Sequence, residues 1–174
     1  MITIISGTNR KNSNSYKIAR QYQGILKKKG VNSEIIDLEK LPDNFLGTAL
    51  YENSGSNESF RPIMDQMKSC EKFVFIVAEY NGSFPGILKL FIDALEFPGT
   101  LKDKKCAMVG LSSGVQGSAL AMSHLTDIVN YLGMHVLAQK PKLMSIHDRM
   151  EDGKVIDKLG IQLLEEQAEA LIKF

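Results

Sequence analysis

Short β-rich runs alternate with helical patterns along this chain. Ile2-Thr3-Ile4-Ile5 reads as a first strand. Tyr16 to Lys29 follows as a helix, with Ile18, Ala19, Tyr22, Ile25 and Leu26 on one face and Gly30 as its stop. Ser33 to Leu38 is a second strand. Leu41 to Ser59 is polar and carries Pro42, Gly47 and Gly55, so it reads as a long connection, of a kind that tends to be functional or mobile. Phe60 to Glu71 is a second helix. Within Lys72 to Ala78, the run Phe73-Val74-Phe75-Ile76-Val77 is apolar without alternation, which suits a strand covered on both faces, as in a parallel sheet. A third helix is predicted over Ile87 to Phe97, ended by Pro98-Gly99, and Lys105 to Leu111 is a fourth strand. Ser118 to Leu132 is a fourth helix with Gly133 after it. Met134 to Ala138 is a fifth strand, and Asp157 to Lys173 a final helix with Ile161, Leu164, Ala168 and Leu171 at helical spacing.

Five strands alternating with helices imply right-handed crossovers and a sheet covered on both faces. The expectation is α/β: a three-layer αβα sandwich on a five-stranded parallel sheet, one domain over residues 1–174, without repeats or a linker.

Composition narrows the partners. The 174 residues are 44% hydrophobic and 24% charged, as in an ordinary globular protein. Net charge is +1, so no long-range field favours nucleic acid, and Lys27-Lys28-Lys29 and Lys104-Lys105 read as solvated element ends. No apolar run approaches the ~20 residues that span a bilayer. Met1 leads into an apolar strand with no charged leader, and Cys70 and Cys106 are far apart and lack CxxC spacing. Reduced core thiols and a cytoplasmic location are expected.

In open α/β sheets, ligands bind beyond the carboxyl ends of the strands, where strand order reverses; for the order 2-1-3-4-5 that point lies between strands 1 and 3. The segments after strands 1, 3 and 4 are the ones richest in Gly, Ser, Asn and Thr. The first, Ser6 to Ser15, leads into a helix and holds two cations and no acid. A helix N-terminus presents free N–H groups and partial positive charge, which suits a phosphate. Thr8, Ser13 and Ser15 can donate to phosphate oxygens, and Arg10 can add a charge-assisted bond. Capping alone needs one residue, Ser13 or Asn14, so the surplus of donors points to a bound phosphate. The loop has neither the Gly-Lys-Ser/Thr ending nor the GxGxxG turn of other nucleotide folds, which favours a monophosphate. The second loop, Glu79 to Gly86, offers glycines for close backbone approach and aromatic surface from Tyr80 and Phe84. On spacing alone it fits an ordinary strand-to-helix turn as well as a flavin edge. His124, His135 and His147 show no ligand spacing and read as structural or surface residues; no metal site is expected.

Three stretches carry a resemblance. Gly7, Thr8, Arg10, Ser13 and Ser15 match a glycine–hydroxyl–x–arginine stretch followed by serines at the helix start. Glu79 to Lys89 match the long glutamate-tyrosine-asparagine-glycine-serine-x-proline-glycine-x-leucine-lysine motif, and Ser112, Gly114 and Gly117 match a serine-glycine motif after strand 4. Together they resemble the NADPH-dependent FMN reductase family, which also includes azo-dye, quinone and chromate reductases. Ala78, Ser118 and Asn12 stand where that pattern has proline, glycine and, frequently, glycine.

The resemblance implies a flavodoxin-like fold with Thr8, Arg10, Ser13, Asn14 and Ser15 holding the FMN phosphate and Asn9 beside them. It implies that Glu79, Tyr80, Asn81, Gly82 and Ser83 line the isoalloxazine edge, and that Ser112, Ser113, Gly114 and Gln116 flank the ring and ribityl chain. The implied activity is a ping-pong transfer of electrons from NADPH or NADH through FMN to a small acceptor: a flavin, quinone, azo compound or metal oxyanion. Hydride transfer through the flavin needs no catalytic side chain. A homodimer or homotetramer with flavins near the subunit interfaces is implied as well. The alternative is a non-catalytic flavodoxin-like electron carrier or flavin-binding regulatory module. It ranks second, because such carriers usually present an acidic face that this near-neutral chain does not suggest. A degenerate member without flavin ranks third.

Overall fold

The computed structural model describes residues 1–53 and 57–174. Ser54 to Ser56, including the Gly55 of the expected long connection, lie outside the described residues.

The strands are β1 (Ile2–Ser6), β2 (Ser33–Asp37), β3 (Lys72–Ala78), β4 (Lys105–Leu111), β5 (His135–Val136) and β6 (Lys142–Leu143). They form one parallel sheet in the order β2-β1-β3-β4-β5, with β6 also pairing β4. This is the expected order, and it places the reversal between β1 and β3. Alternate residues enter two cores. Phe73, Phe75 and Val77 of β3 face a cluster built with α3 (Arg61–Ser69), α4 (Gly86–Asp93) and α5 (Ala119–Tyr131). Val74, Ile76 and Ala78 face the opposite cluster, with α1 (Asn14–Lys28) and α6 (Lys158–Lys173). That two-sided burial is why the strands show no polar alternation.

The fifth strand differs from expectation. In place of a run over Met134–Ala138, β5 pairs Lys105 and Cys106 while β6 pairs Gly110 and Leu111. Between them the buried Gln167 of α6 donates from Nε2 to Met108 O and Gln139 O, each at 2.8 Å. A side chain here replaces a ladder bond that the interrupted strand cannot make. Helix α4 also stops earlier than its apolar pattern suggests, at Asp93 rather than Phe97. Pro98 disfavours helical backbone at the residue before it, and Phe97 is exposed.

A 3-10 turn over Leu38–Lys40 follows β2, and within the predicted connection a short helix α2 (Phe45–Thr48) and a second 3-10 turn at Tyr51–Asn53 form. Phe45 packs edge-on against Phe60 at 4.8 Å, so this part is anchored to the core. A two-stranded antiparallel hairpin, β7 (Met150–Glu151) and β8 (Lys154–Val155), lies ahead of α6 and has no counterpart in the sequence reading. Cys70 and Cys106 are free and buried. No helix among the described residues is long and apolar enough to cross a membrane.

Lysines close the helix ends opposite the site. Lys72 Nζ donates to Leu171 O and Ile172 O, and buried Lys104 donates to Met67 O and Lys68 O, each meeting carbonyls that helix geometry leaves open. Burial pulls the Lys104 pKa below its ordinary value, partly offset by Glu71.

Tyr22 is the opposite case. It is fully buried on α1 and its hydroxyl has no partner among the described residues. Tyr22→Phe is therefore expected to stabilise the fold by about 1 kcal/mol, since removing an unsatisfied buried hydroxyl recovers its desolvation cost. Thermal unfolding should shift upward by roughly 2–4 °C. Burial also raises the Tyr22 pKa, so the folded chain holds this proton more tightly than the unfolded one. Stability present at neutral pH falls as pH climbs past about 10, and the phenylalanine variant loses less of it there. A variant melting below the parent refutes the assignment.

Candidate functional site

The site is built where β1, β3 and β4 end. At the exit of β1 the chain passes so close to β3 that a Cβ on Gly7 would stand 2.7 Å from Ile76 O and 3.2 Å from Leu88 Cδ2. Only glycine permits this crossing, and its N–H donates to that same carbonyl at 3.0 Å. The loop that follows turns on local bonds: Arg10 N–H donates to Thr8 Oγ1, and Ser13 Oγ accepts from Tyr16 N–H to cap α1. Among the described residues, the N–H groups of Asn9, Lys11, Asn12, Ser13, Asn14 and Ser15 find no acceptor. Ser15 is 1% exposed, and its hydroxyl is buried without a partner among the described residues.

The second loop is a tight turn in which Tyr80 and Ser83 exchange N–H···O bonds at 2.7 and 3.0 Å. Asn81 and Gly82 at its centre have φ of 52° and 73°. Positive φ at both central positions is what makes Asn-Gly the favoured pair there. Ser83's N–H is spent in the turn, while those of Asn81 and Gly82 find no acceptor among the described residues. The side chains tie the loop outward. Tyr80 Oη lies 2.9 Å from Thr8 Oγ1, and Ser83 Oγ lies 3.0 Å from His124 Nδ1. Glu79 Oε2 accepts from Ser118 N–H at 3.2 Å.

The third loop folds back over β4. Ser112 Oγ donates to Gly114 O and accepts from Gly117 N–H, both at 2.9 Å, so this hydroxyl is committed inside the loop. The N–H groups of Ser113, Gly114, Val115 and Gln116 have no partner among the described residues. The loop rests on β6 and the turn after it: Ser112 N–H donates to Leu143 O, Ser145 N–H to Gly114 O and Ile146 N–H to Ser112 O. That turn carries His147, whose Nε2 is 3.0 Å from Ser113 Oγ. Asn12 and Ser118, which stand where the resembled pattern has glycine, have φ of 54° and 67°. Both occupy the left-handed region that glycine enters without strain.

These loops enclose a cleft of about 450 Å³. Of the residues predicted from sequence, Thr8, Arg10, Ser13, Asn14, Ser15, Glu79, Tyr80, Ser112 and Ser113 line it. Asn9, Asn81, Gly82, Ser83, Gly114 and Gln116 lie outside its lining, on the same loops. Lys11, Asn12, Lys17, Ile146 and His147 also line it, although none is among the site residues predicted from sequence, and His147 was expected to be structural or on the surface. A search for paired metal-ligand spacing misses His147 and His124, because each histidine's partner is a serine on a distant loop. Arg10, Lys11 and Lys17 face a single lining carboxylate, Glu79, which already holds Ser118 N–H. The cleft therefore favours an anion.

A family model described as NADPH-dependent FMN reductase matches residues 1–146. The chain belongs to that family. An NAD(P)H-dependent FMN reductase of Pseudomonas aeruginosa is 29% identical over 96% of this chain and 90% of its own length. An FMN-dependent NADPH-azoreductase of Staphylococcus aureus is 31% identical over 86% of this chain and 80% of its own. Among solved structures, a flavoenzyme NAD(P)H:acceptor oxidoreductase from Paracoccus denitrificans superposes with a TM-score of 0.81. It is 22% identical and covers 99% of this chain and 94% of that one. The flavodoxin-like fold expected for an FMN reductase is thus the fold observed. The matched segment ends at Ile146, so it holds β6 and all three site loops, while β7, β8 and α6 lie beyond it.

Proposed function

We propose that this chain binds FMN in the cleft and passes electrons from NADPH or NADH, in a ping-pong cycle, to a small acceptor: a flavin, quinone, azo compound or metal oxyanion. Bound there, FMN would supply the two-electron chemistry. The observation that carries the reading is the Ser15 hydroxyl, buried and unpartnered among six free N–H groups at the start of α1. Burying such a group without a partner costs roughly 1–3 kcal/mol, and a phosphate monoester would satisfy it. Thr8, Ser13 and Arg10 add donors, with Asn9 and Asn14 beside them. The free N–H groups of Asn81 and Gly82, and of Ser113 to Gln116, lie on loops beside the cleft and would stabilise negative charge on a ring edge. Ser112 and Glu79 shape the loops, the first by its internal bonds and the second by holding Ser118.

One flavodoxin-like unit over residues 1–174 carries the whole site, and its two free buried thiols suit the cytoplasm. The chain acts as a dimer or tetramer. Phe97 and Tyr131, 72% and 82% exposed, flank an apolar groove with Ile92, Leu95 and Ile128, a surface monomers seldom leave to water. Sedimentation as a monomer at micromolar concentration removes that part.

Anaerobic mixing of the flavin-loaded protein with NADPH or NADH tests the activity. Bleaching at turnover rates is the expected result, and a flavin that stays oxidised leaves the electron-carrier reading instead. Arg10→Ala should weaken FMN by about 1.5 kcal/mol, the low end for a bond to a charged group because Arg10 is solvent-exposed. The loss should shrink as salt is raised. Unchanged affinity by fluorescence titration takes Arg10 out of the site.

A further inference from the structure

We infer that the Tyr80 hydroxyl belongs to the phosphate subsite, and that it makes the cleft select a flavin bearing a terminal monoester over one without it. The inference rests on the FMN reading above and extends it to a specificity-determining residue.

By chain position Tyr80 belongs to the second loop, whose free N–H groups suit a ring edge. Its hydroxyl is elsewhere. It lies 2.9 Å from Thr8 Oγ1, across the reversal point between β1 and β3. Thr8 is 1% exposed, and its oxygen also accepts from Arg10 N–H at 3.3 Å. Two hydroxyls bonded to each other use one hydrogen between them. Whichever of the pair donates, one O–H is left over, and no acceptor among the described residues takes it. A few residues along, Ser15 holds a second unclaimed hydroxyl, 1% exposed, lining the same cleft. Two spare O–H donors, free N–H groups and Arg10 thus converge where no carboxylate is available to receive them, since Glu79 is turned to Ser118.

An anion with several acceptor oxygens gives both spare hydroxyls charged acceptors together, where a neutral alcohol offers a single uncharged oxygen and weaker bonds. Riboflavin offers its ring edge to the second loop and a hydroxyl to the first. Its uncharged oxygen is the weaker acceptor for the O–H left over from the Thr8–Tyr80 pair. FMN gives the leftover O–H a charged acceptor, and because Tyr80 sits on the second loop, filling the phosphate position also fixes the loop that meets the ring. Selectivity for the phosphorylated flavin therefore resides partly in a residue that chain position assigns to the ring.

The test is Tyr80→Phe, which keeps the aromatic ring and leaves the Asn81-Gly82 turn untouched. FMN and riboflavin are each titrated into the parent and the variant and followed by quenching of flavin fluorescence, with melting curves confirming that both fold. The expected result is FMN binding about tenfold weaker or more in the variant, the size of one hydrogen bond to a charged group, with riboflavin changed less than about twofold. The FMN-to-riboflavin preference then shrinks by that factor. A parent that prefers FMN and a variant with the same preference overturn this inference and leave the FMN reading standing. A parent that binds neither flavin overturns both.

Discussion

Gly110→Ala is expected to empty the proposed flavin site and to lower the melting temperature in the same variant. A Cβ at this position in β4 would stand 2.4 Å from Gly117 O, 2.6 Å from Met122 Cε and 2.9 Å from Ser118 Cβ. The methionine tip can move aside. The other two cannot. Gly117 has φ of 57° and backs onto Lys142, and Ser118 is fixed in left-handed backbone by its bond to Glu79. The third loop must lift, breaking the Ser112–Gly117 and Glu79–Ser118 bonds and displacing the N–H groups of Ser113 to Gln116. Overpacking plus lost loop bonds amounts to about 3 kcal/mol. FMN affinity should fall about 100-fold and the melting temperature by roughly 6–12 °C. Titration and melting curves matching the parent would show that the third loop does not depend on this close approach.

Gln167→Leu should produce a stability loss of similar size by another route. The glutamine is 0% exposed and its Nε2 bridges Met108 O and Gln139 O. Leucine fills much of the space and donates nothing, so the buried Met108 O and the half-buried Gln139 O lose this donor. The expected cost is about 2–4 kcal/mol, read as a lower urea midpoint at unchanged slope. Flavin affinity should fall as well, because β6, which the bridge helps to align, carries the third loop. A midpoint equal to the parent's would mean those carbonyls are satisfied in some other way.

Sequence patterns exposed most of this architecture because they follow from burial. An apolar run such as Phe73 to Val77 has one comfortable place, the middle of a parallel sheet, and Ile18, Ala19, Tyr22, Ile25 and Leu26 can only form one helix face. Long-range bonds left no such trace. Nothing near Pro141 announces that Gln167 will stand in for a missing stretch of strand, and Ile87 to Phe97 keeps its apolar character past Asp93, where the helix ends. The site divides the same way. Hydroxyls and amides at a helix start announce a phosphate from local chemistry, so Thr8 through Ser15 were readable. His147 and Lys17 join the cleft only through the turn after β6 and the first turn of α1. The roles inside the loops were hidden too. Ser112 and Ser83 look alike as loop serines, yet one hydroxyl is locked within its own loop and the other lies beside His124.

The interruption between β5 and β6 also bears on how these molecules behave when crowded. A sheet ends in a row of open N–H and C=O groups that can recruit a strand from a neighbouring molecule. Here that border is two residues, a gap, and two residues more, with Pro141 lacking an N–H and Lys142 exposed beside it. An incoming strand finds no continuous ladder to extend. The opposite border, β2, runs unbroken over five residues and carries Glu34 and Asp37. Concentrated solutions of the native protein should therefore resist fibrous joining on the β5–β6 side, leaving β2 as the border where such growth would start.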